Sequence, residues 1–505
     1  MSVIILVADG ARPDTLAAAM DAGELPALAQ IRDEGAFRTI TSAFPSVTGP
    51  AYAPFLMGRF PGPVGLPGLR WYDRARLCTS FPHHTRSYVG SEMRKVDRDL
   101  DPTAPTLFEL APPSLGALNM IGRGLSAKRT LARSAAFAVR VGYTHFRGDV
   151  RGWLAIDRDV GDQVARRIRR DRPAFVFAAL TGIDKTSHAV GHDAPLVREA
   201  MRIVNDTAAT IRADAERDGR WRDMHLWVVS DHGHSRVSRH EDLERVVSSW
   251  GHRVVAHPWI YSVREPDVAV MVSGNAMAHV YLELERRKRP WWPELSGRWE
   301  ETATRLLGRE SVDLLVLAHS PDRCEVRGRG RGAAIIERRG ERYSYSPTSG
   351  DPLGTGELTE VTSQEAYDAT IGGDYPDGIV QLAHLAGAGR SGEMILSASR
   401  DWDFRARYEP IPHVSSHGAL HREHMLVPLL VNRPPGGTPR RTADVMPSAL
   451  TALGLSVPPG LDGRSFVRGG PDRDGSRGAP RPPSRSRSIG AATTSGEHPG
   501  VRADR

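Results

Sequence analysis

The strongest constraint on this chain is a set of short, unbroken apolar runs, each standing beside a metal-type ligand. Val3-Ile4-Ile5-Leu6-Val7 runs into Asp9. Phe175-Val176-Phe177-Ala178-Ala179-Leu180 precedes Asp184 and His188, which form D-x-x-x-H. Leu226-Trp227-Val228-Val229 runs into Asp231-His232, and His417 in SSHGALHREH precedes Leu426-Val427-Pro428-Leu429-Leu430-Val431. Such runs, apolar without alternation, mark strands buried on both faces, as in a parallel sheet. In open α/β sheets ligands bind beyond the carboxyl ends of the strands. His combined with Asp suits zinc or manganese better than calcium or copper. The pattern predicts an α/β protein with a metal-dependent hydrolytic site.

At 505 residues the chain exceeds one small core, which predicts one large α/β domain with a smaller insertion. The fold class expected is a three-layer α/β/α domain with a mostly parallel sheet and an inserted α+β subdomain. The core is assigned to residues 1–266 and 346–466, with a Pro-, Gly- and Arg-rich cap loop at about 61–105. Short strands interrupted by Gly328, Gly330 and Gly332 assign the insertion to 267–345. Val380 to Leu385 and Met394 to Leu396 are read as the return to the core, and a closing helix ends near Gly454. The basic residues Lys128, Arg129, Arg133 and Arg140 within 120–143 predict an amphipathic helix on the domain surface, with a membrane surface as the alternative. The Ser/Arg/Pro/Gly tail 467–505 is expected to be disordered.

The formal charge is +7, but Arg468 to Arg505 holds eight Arg against four acids, so the rest keeps only about +3. That is too dispersed for a specific nucleic-acid binder. No apolar run is long enough to span a bilayer. MSVIILVADG lacks a basic n-region and reads as a strand rather than a signal peptide. Cys78 and Cys324 alone give no disulfide framework, so a cytoplasmic location is expected.

Thr48 lies in FPSVTGPAYAPFLMG, where Pro45, Gly49 and Pro50 fix the backbone. A threonine hydroxyl is a poor nucleophile near neutral pH, and a bound divalent cation can remove its proton and aim the oxygen. Asp9, Thr48, Asp231 and His232 are assigned to one metal site. Asp184, His188 and His417 are assigned to a second that keeps open positions, as a catalytic zinc does. Each residue alone has a plainer reading: Asp9 as a turn or cap, Asp184 with His188 as a surface pair, Thr48 as a loop threonine. Their joint occurrence in order argues against those readings. His192 and His234 are expected at supporting or rim positions, and His413, His421 and His424 in solvent or core.

VADGARPD, FPSVTGPAYAPFLMG, GIDKTSH, VVSDHG and SSHG together resemble the alkaline phosphatase superfamily, in particular its type I phosphodiesterase/nucleotide pyrophosphatase branch. The resemblance runs from Met1 to about Phe466. It implies two zinc ions (manganese being possible), ligands at Asp9, Asp184, His188, Asp231, His232 and His417, and a covalent phosphothreonine at Thr48. It also implies a small phosphorylated substrate, a nucleotide or a lipid-like phosphodiester. One departure is Ala51, where the nucleotide pyrophosphatase branch carries an asparagine that holds a phosphoryl oxygen. The Gly49 amide, Arg70 or Arg74 could replace it. Arg70, Trp71, Tyr72 and Asp73 either line a substrate pocket or pack the cap. A phosphomutase or phospho-head-group transferase using the same metals, and a metal-binding protein without turnover, are the alternatives. Cys78-Thr79-Ser80-Phe81-Pro82 does not match the sulfatase string. The sequence leaves the oligomeric state open.

Overall fold

The strand Ser2–Ala8 shows how this chain is layered. Val3, Ile5 and Val7 face one apolar cluster together with Phe175 and Phe177. Ile4, Leu6 and Ala8 face the other together with Val176 and Ala178. Side chains alternate across a strand, so a run that is apolar throughout must be covered on both sides. Helices Pro13–Asp21, Pro26–Glu34, Val150–Asp171 and Pro195–Arg217 supply one cover. The short helix Ala53–Met57 and the helix Val445–Leu453 pack on the other. The result is the three-layer α/β/α arrangement, seen in a computed structural model that describes residues 1–75, 84–257, 263–404 and 413–468. Cys78 and the expected tail beyond Arg468 lie outside the described residues.

The central sheet has seven strands, in the order Ala36–Thr41, Leu426–Val431, Met224–Val229, Ser2–Ala8, Phe175–Leu180, Ser114–Ala117, Thr130–Leu131. Ser2–Ala8 pairs in parallel with both Phe175–Leu180 and Met224–Val229. Leu426–Val431 alone runs against the others. The carboxyl ends of the three central strands therefore point the same way, and Asp9, Asp184 and Asp231 follow them.

A second sheet of nine strands lies mostly antiparallel. Helix Trp292–Leu307 packs on one face and helix Gly378–Gly387 on the other. The sheet reaches beyond the expected insertion 267–345. It takes in Val254–Ala256 upstream, and Arg342–Gly350, Leu358–Thr362 and Met394–Ala398 downstream. The reading of Met394 to Leu396 as a return to the core is corrected. Met394–Ala398 sits between Met277–Leu282 and Val312–Ser320, antiparallel to both. A fully buried apolar run carries no mark of which sheet will take it. The stretch 120–143 divides into a 3-10 turn Ala127–Arg129, the edge strand Thr130–Leu131 and the start of helix Ala135–Phe146. Among the described residues no helix is long and apolar enough to cross a membrane.

Candidate active site

The side chains of the candidate site lie beyond strand ends, on turns, on a longer loop or on the helix that follows. Gly10 follows Asp9 with φ +80°, and a Cβ there would stand 3.0 Å from the Asp184 Cα and from the His234 ring. Only glycine lets the two turns close on each other at this point. Gly49 turns the chain directly after Thr48, with φ +98° and the Met120 side chain where a Cβ would go. Asp157 holds the helix Gly182–Val190 by its first amides: its oxygens accept from Thr181 N at 3.0 Å and Gly182 N at 2.6 Å. That helix carries Asp184 and His188 one turn apart on one face.

The turns meet in one buried cluster. Thr48 Oγ1 lies 3.1 Å from Asp9 Oδ1, 3.4 Å from Asp9 Oδ2 and 3.1 Å from His232 Nε2. His232 Nε2 is 3.3 Å from Asp9 Oδ1 and 3.7 Å from Asp231 Oδ2. Asp184 Oδ1 is 3.1 Å from His188 Nε2, 3.0 Å from His234 Nε2 and 3.4 Å from His417 Nε2. The His232 and His417 rings stack at 3.6 Å and join the two halves. Donor atoms of Asp184, His188, His234 and His417 fall within 4.8 Å of one another, as do those of Asp9, Asp184 and His232. Asp184 thus belongs to both groups. Thr48 is only half-buried amid the buried residues of its loop, so its hydroxyl is reachable.

The imidazoles are aimed by their far nitrogens. His188 Nδ1 lies 2.9 Å from Ser415 O, His417 Nδ1 3.0 Å from Ser46 O, and His232 Nδ1 3.1 Å from Gly233 O. A carbonyl only accepts, so each Nδ1 carries hydrogen and each Nε2 turns toward the cluster. Burial opposes a charge on His232, but the Asp231 carboxylate and the Asp9 hydrogen bond outweigh it and push the pKa up to about 9. Burial holds His234 and His417 well below the usual imidazole range. Burial raises the Asp184 carboxyl, yet Lys185 and His188 together hold it well below the usual range. Lys185 Nζ lies 2.8 Å from Asp184 Oδ2.

The donor set fits divalent cations. Asp9, Asp184 and Asp231 are almost wholly buried, and among the described residues neither oxygen of the Asp231 carboxylate has a hydrogen-bond partner. A buried carboxylate without donors is costly unless a cation meets it. Oxygen with imidazole nitrogen is the ligand chemistry of zinc and manganese.

All seven residues singled out from the sequence converge here. His234, expected at a supporting or rim position, is fully buried with its Nε2 3.0 Å from Asp184 Oδ1, inside the cluster and not at its rim; the i, i+2 spacing in DHGH was its only signal. Tyr52, not foreseen, donates to Asp9 Oδ2 at 3.4 Å. Arg74 does not supply the donor missing at Ala51. Its guanidinium is spent on the Leu282, Glu283 and Arg286 carbonyls and on Glu393. Trp71, Tyr72 and Asp73 are buried, with Trp71 edge-on to Tyr88 and Tyr72 beside Tyr281, so they pack the cap. His421 and His424 are buried behind the cluster, His424 against Ser235, and His413 stacks on His188 at 4.4 Å.

A family model described as Type I phosphodiesterase / nucleotide pyrophosphatase matches residues 3–420. A search of curated proteins gives no significant match. Among solved structures, phosphonoacetate hydrolase from Sinorhizobium meliloti 1021 in complex with phosphonoacetate is 17% identical, with 90% of this chain and 96% of that one aligned at a TM-score of 0.54. Murine ectonucleotide pyrophosphatase/phosphodiesterase 5, inactive and in complex with AMP, is 14% identical over 91% and 96% at a TM-score of 0.51. The human counterpart is 13% identical over the same shares at 0.52. At these identities the likeness is one of fold.

Proposed function

Since the chain belongs to the type I phosphodiesterase/nucleotide pyrophosphatase family of metal-dependent phosphoester hydrolases, we propose that it cleaves a phosphodiester or nucleotide pyrophosphate bond through Thr48. The observation that supports this most is the position of Thr48 Oγ1, held between the Asp9 carboxylate and His232 Nε2 at the half-open edge of a buried ligand cluster. Asp9, Thr48, Asp231 and His232 would hold one divalent cation. Asp184, His188 and His417 would hold a second, with His234 bracing Asp184. Zinc is the first choice and manganese the second. Bound there, the cations would lower the pKa of the Thr48 hydroxyl and neutralise charge on the phosphoryl oxygens.

The chain's own part is then orientation and transfer. Thr48 Oγ1 gives up its proton and bonds to phosphorus, and the bond from phosphorus to the leaving oxygen breaks with its electron pair. The leaving oxygen takes a proton and departs as an alcohol or nucleotide. Water next attacks phosphorus, the bond to Thr48 Oγ1 breaks, and the phosphomonoester or phosphate is released. A cytoplasmic setting is proposed because Cys78 and Cys324 are too few for a disulfide framework.

The test is to strip the purified enzyme with chelator, restore zinc or manganese, and assay bis-p-nitrophenyl phosphate, p-nitrophenyl phosphate and phosphonoacetate. The last substrate is included because of the phosphonoacetate hydrolase fold. Diester turnover that returns with metal and is lost in Thr48→Ala is expected. Full activity in Thr48→Ala refutes the nucleophile, and preference for phosphonoacetate moves the chemistry to a carbon–phosphorus bond. Transfer of the group to an added alcohol in place of water would mark a transferase.

A further inference from the structure

The helix Ala135–Phe146 turns apolar side chains to solvent. Val139 is 72% exposed, Tyr143 63% and Phe146 79%. At helical spacing these three share one stripe, which the exposed Ala135 and Ala136 extend. Phe137 and Val141 point the other way and pack on the core beneath. Arg140 and Arg147 lie on one flank of the stripe, and Arg133 stands just before the helix; all three are exposed. Lys128 and Arg151 add exposed positive charge near either end. The acids nearby are Asp159, which pairs with Arg140, Glu199, which pairs with Arg151, Asp97, which feels the charge of Arg133, and Asp149, which caps the following helix. The Arg147 guanidinium lies 5.5 Å from the Tyr143 ring centre.

The helix stands at the catalytic end of the sheet. Strand Thr130–Leu131 runs parallel to Ser114–Ala117, which runs parallel to Phe175–Leu180. The chain thus leaves its last strand on the side where Asp9 and Asp184 meet. Beyond the helix, the Trp153 ring centre lies 5.8 Å from Lys185 Nζ, beside Asp184.

We propose that Ala135–Phe146 seats the protein on an anionic lipid surface. Val139, Tyr143 and Phe146 enter the boundary between headgroups and acyl chains, and Arg133, Arg140 and Arg147 meet the lipid phosphates. Charge selects this occupant. A second copy docked through the same face brings arginine rows toward each other. The chain's own residues 469–505 are also net basic, and Ile489 and Val501 are their only large aliphatic side chains. Neither complements a face that is apolar and positive. The inference does not depend on which ester the site cleaves.

The experiment is vesicle flotation of the full-length, metal-loaded protein. One set of vesicles is phosphatidylcholine alone and the other contains about one-third phosphatidylglycerol. Flotation with the anionic vesicles is expected. The combined variant Val139→Ser, Tyr143→Ser, Phe146→Ser lowers partitioning at least about tenfold. The combined variant Arg133→Gln, Arg140→Gln, Arg147→Gln removes the preference for anionic vesicles. Both variants keep wild-type circular dichroism and wild-type turnover of soluble bis-p-nitrophenyl phosphate. A wild-type protein that stays in the buffer with anionic vesicles overturns the proposal. Equal flotation of the serine variant also overturns it and assigns binding to the basic tail. A wild-type dimer that the serine variant dissolves gives the face to a second copy instead.

Discussion

Lys185 brings a positive charge to the wall of the cluster, where its Nζ meets Asp184 Oδ2 and its side chain remains 27% exposed. The buried methyl of Ala51 cannot hold a phosphoryl oxygen, and the Lys185 ammonium beside Asp184 is a charged candidate for that contact. Lys185→Met should remove one charge-assisted hydrogen bond to substrate and lower kcat/KM about 10- to 100-fold. Lys185→Arg should recover part of the loss. Unchanged kinetics in the Met variant would assign Lys185 to Asp184 alone. Gly10→Ala tests the closure of the turns, because a Cβ at φ +80° stands 3.0 Å from Asp184 and His234. Bound zinc measured by elemental analysis should fall, with the sheet intact by circular dichroism. Residue type and order were legible for Asp9, Thr48, Asp184, His188, Asp231, His232 and His417, because each stands next to an apolar run or a constrained turn. Reach was not legible. Arg74 had the right charge for a phosphate donor, but its distant carbonyl partners are set by tertiary packing. Lys185 in GIDKTSH looked like any other lysine until the turn was folded.

At the scale of elements, the site depends on how firmly the helix Gly182–Val190 is held at its start. Asp157, buried on helix Val150–Asp171, is raised to about 7 by burial, against the Gly182 and Thr181 amides that favour its charge. Asp157→Ala would leave both amides without an acceptor in a closed interior, at about 1–3 kcal/mol for each. Asp157→Asn keeps one acceptor and should lose less. In zinc titrations the Ala variant should bind more weakly than the Asn variant, and both more weakly than wild type, since Asp184 and His188 ride on this helix. Equal zinc affinity in all three would make Asp157 a matter of stability only. Asp157 could not be read from the sequence, where it is one acid among many in a polar helix. The helices and strands themselves were legible: the apolar run 175–180 appears as the strand Phe175–Leu180, and the closing helix ends at Gly454 with φ +72°. The partner of a strand was not. Met394–Ala398 is buried and apolar in either sheet, and only its antiparallel pairing with Met277–Leu282 and Val312–Ser320 decides between them.

At the scale of the whole molecule, the cap and two parts of the second sheet, the strand Met277–Leu282 and the turn before Met394–Ala398, are joined through His279. Its Nε2 lies 2.9 Å from Pro67 O, and its Nδ1 accepts from Gly392 N at 3.2 Å. The neutral ring fills both positions, and a second ring proton would face the Gly392 N–H. Burial pushes its pKa down to about 4. Burial likewise lowers His225 to about 4 and His384 to about 3. The unfolded chain takes a proton on each of these rings below about pH 6.5, while the folded chain refuses it until near pH 4. Unfolded molecules then bind more protons than folded ones, so stability is lost as pH falls through this window and is fully present above it. One such histidine contributes a slope of at most about 1.4 kcal/mol per pH unit. His279→Gln can donate to Pro67 O and accept from Gly392 N without titrating. Urea unfolding at several pH values between about 4.5 and 7.5 should show a shallower acid loss in this variant by about that slope. Loss of bound metal in acid weakens both proteins alike, so the difference between them isolates the histidine. Parallel curves for variant and wild type would show that the joint between cap and second sheet is insensitive to acid, and that the acid loss comes from elsewhere.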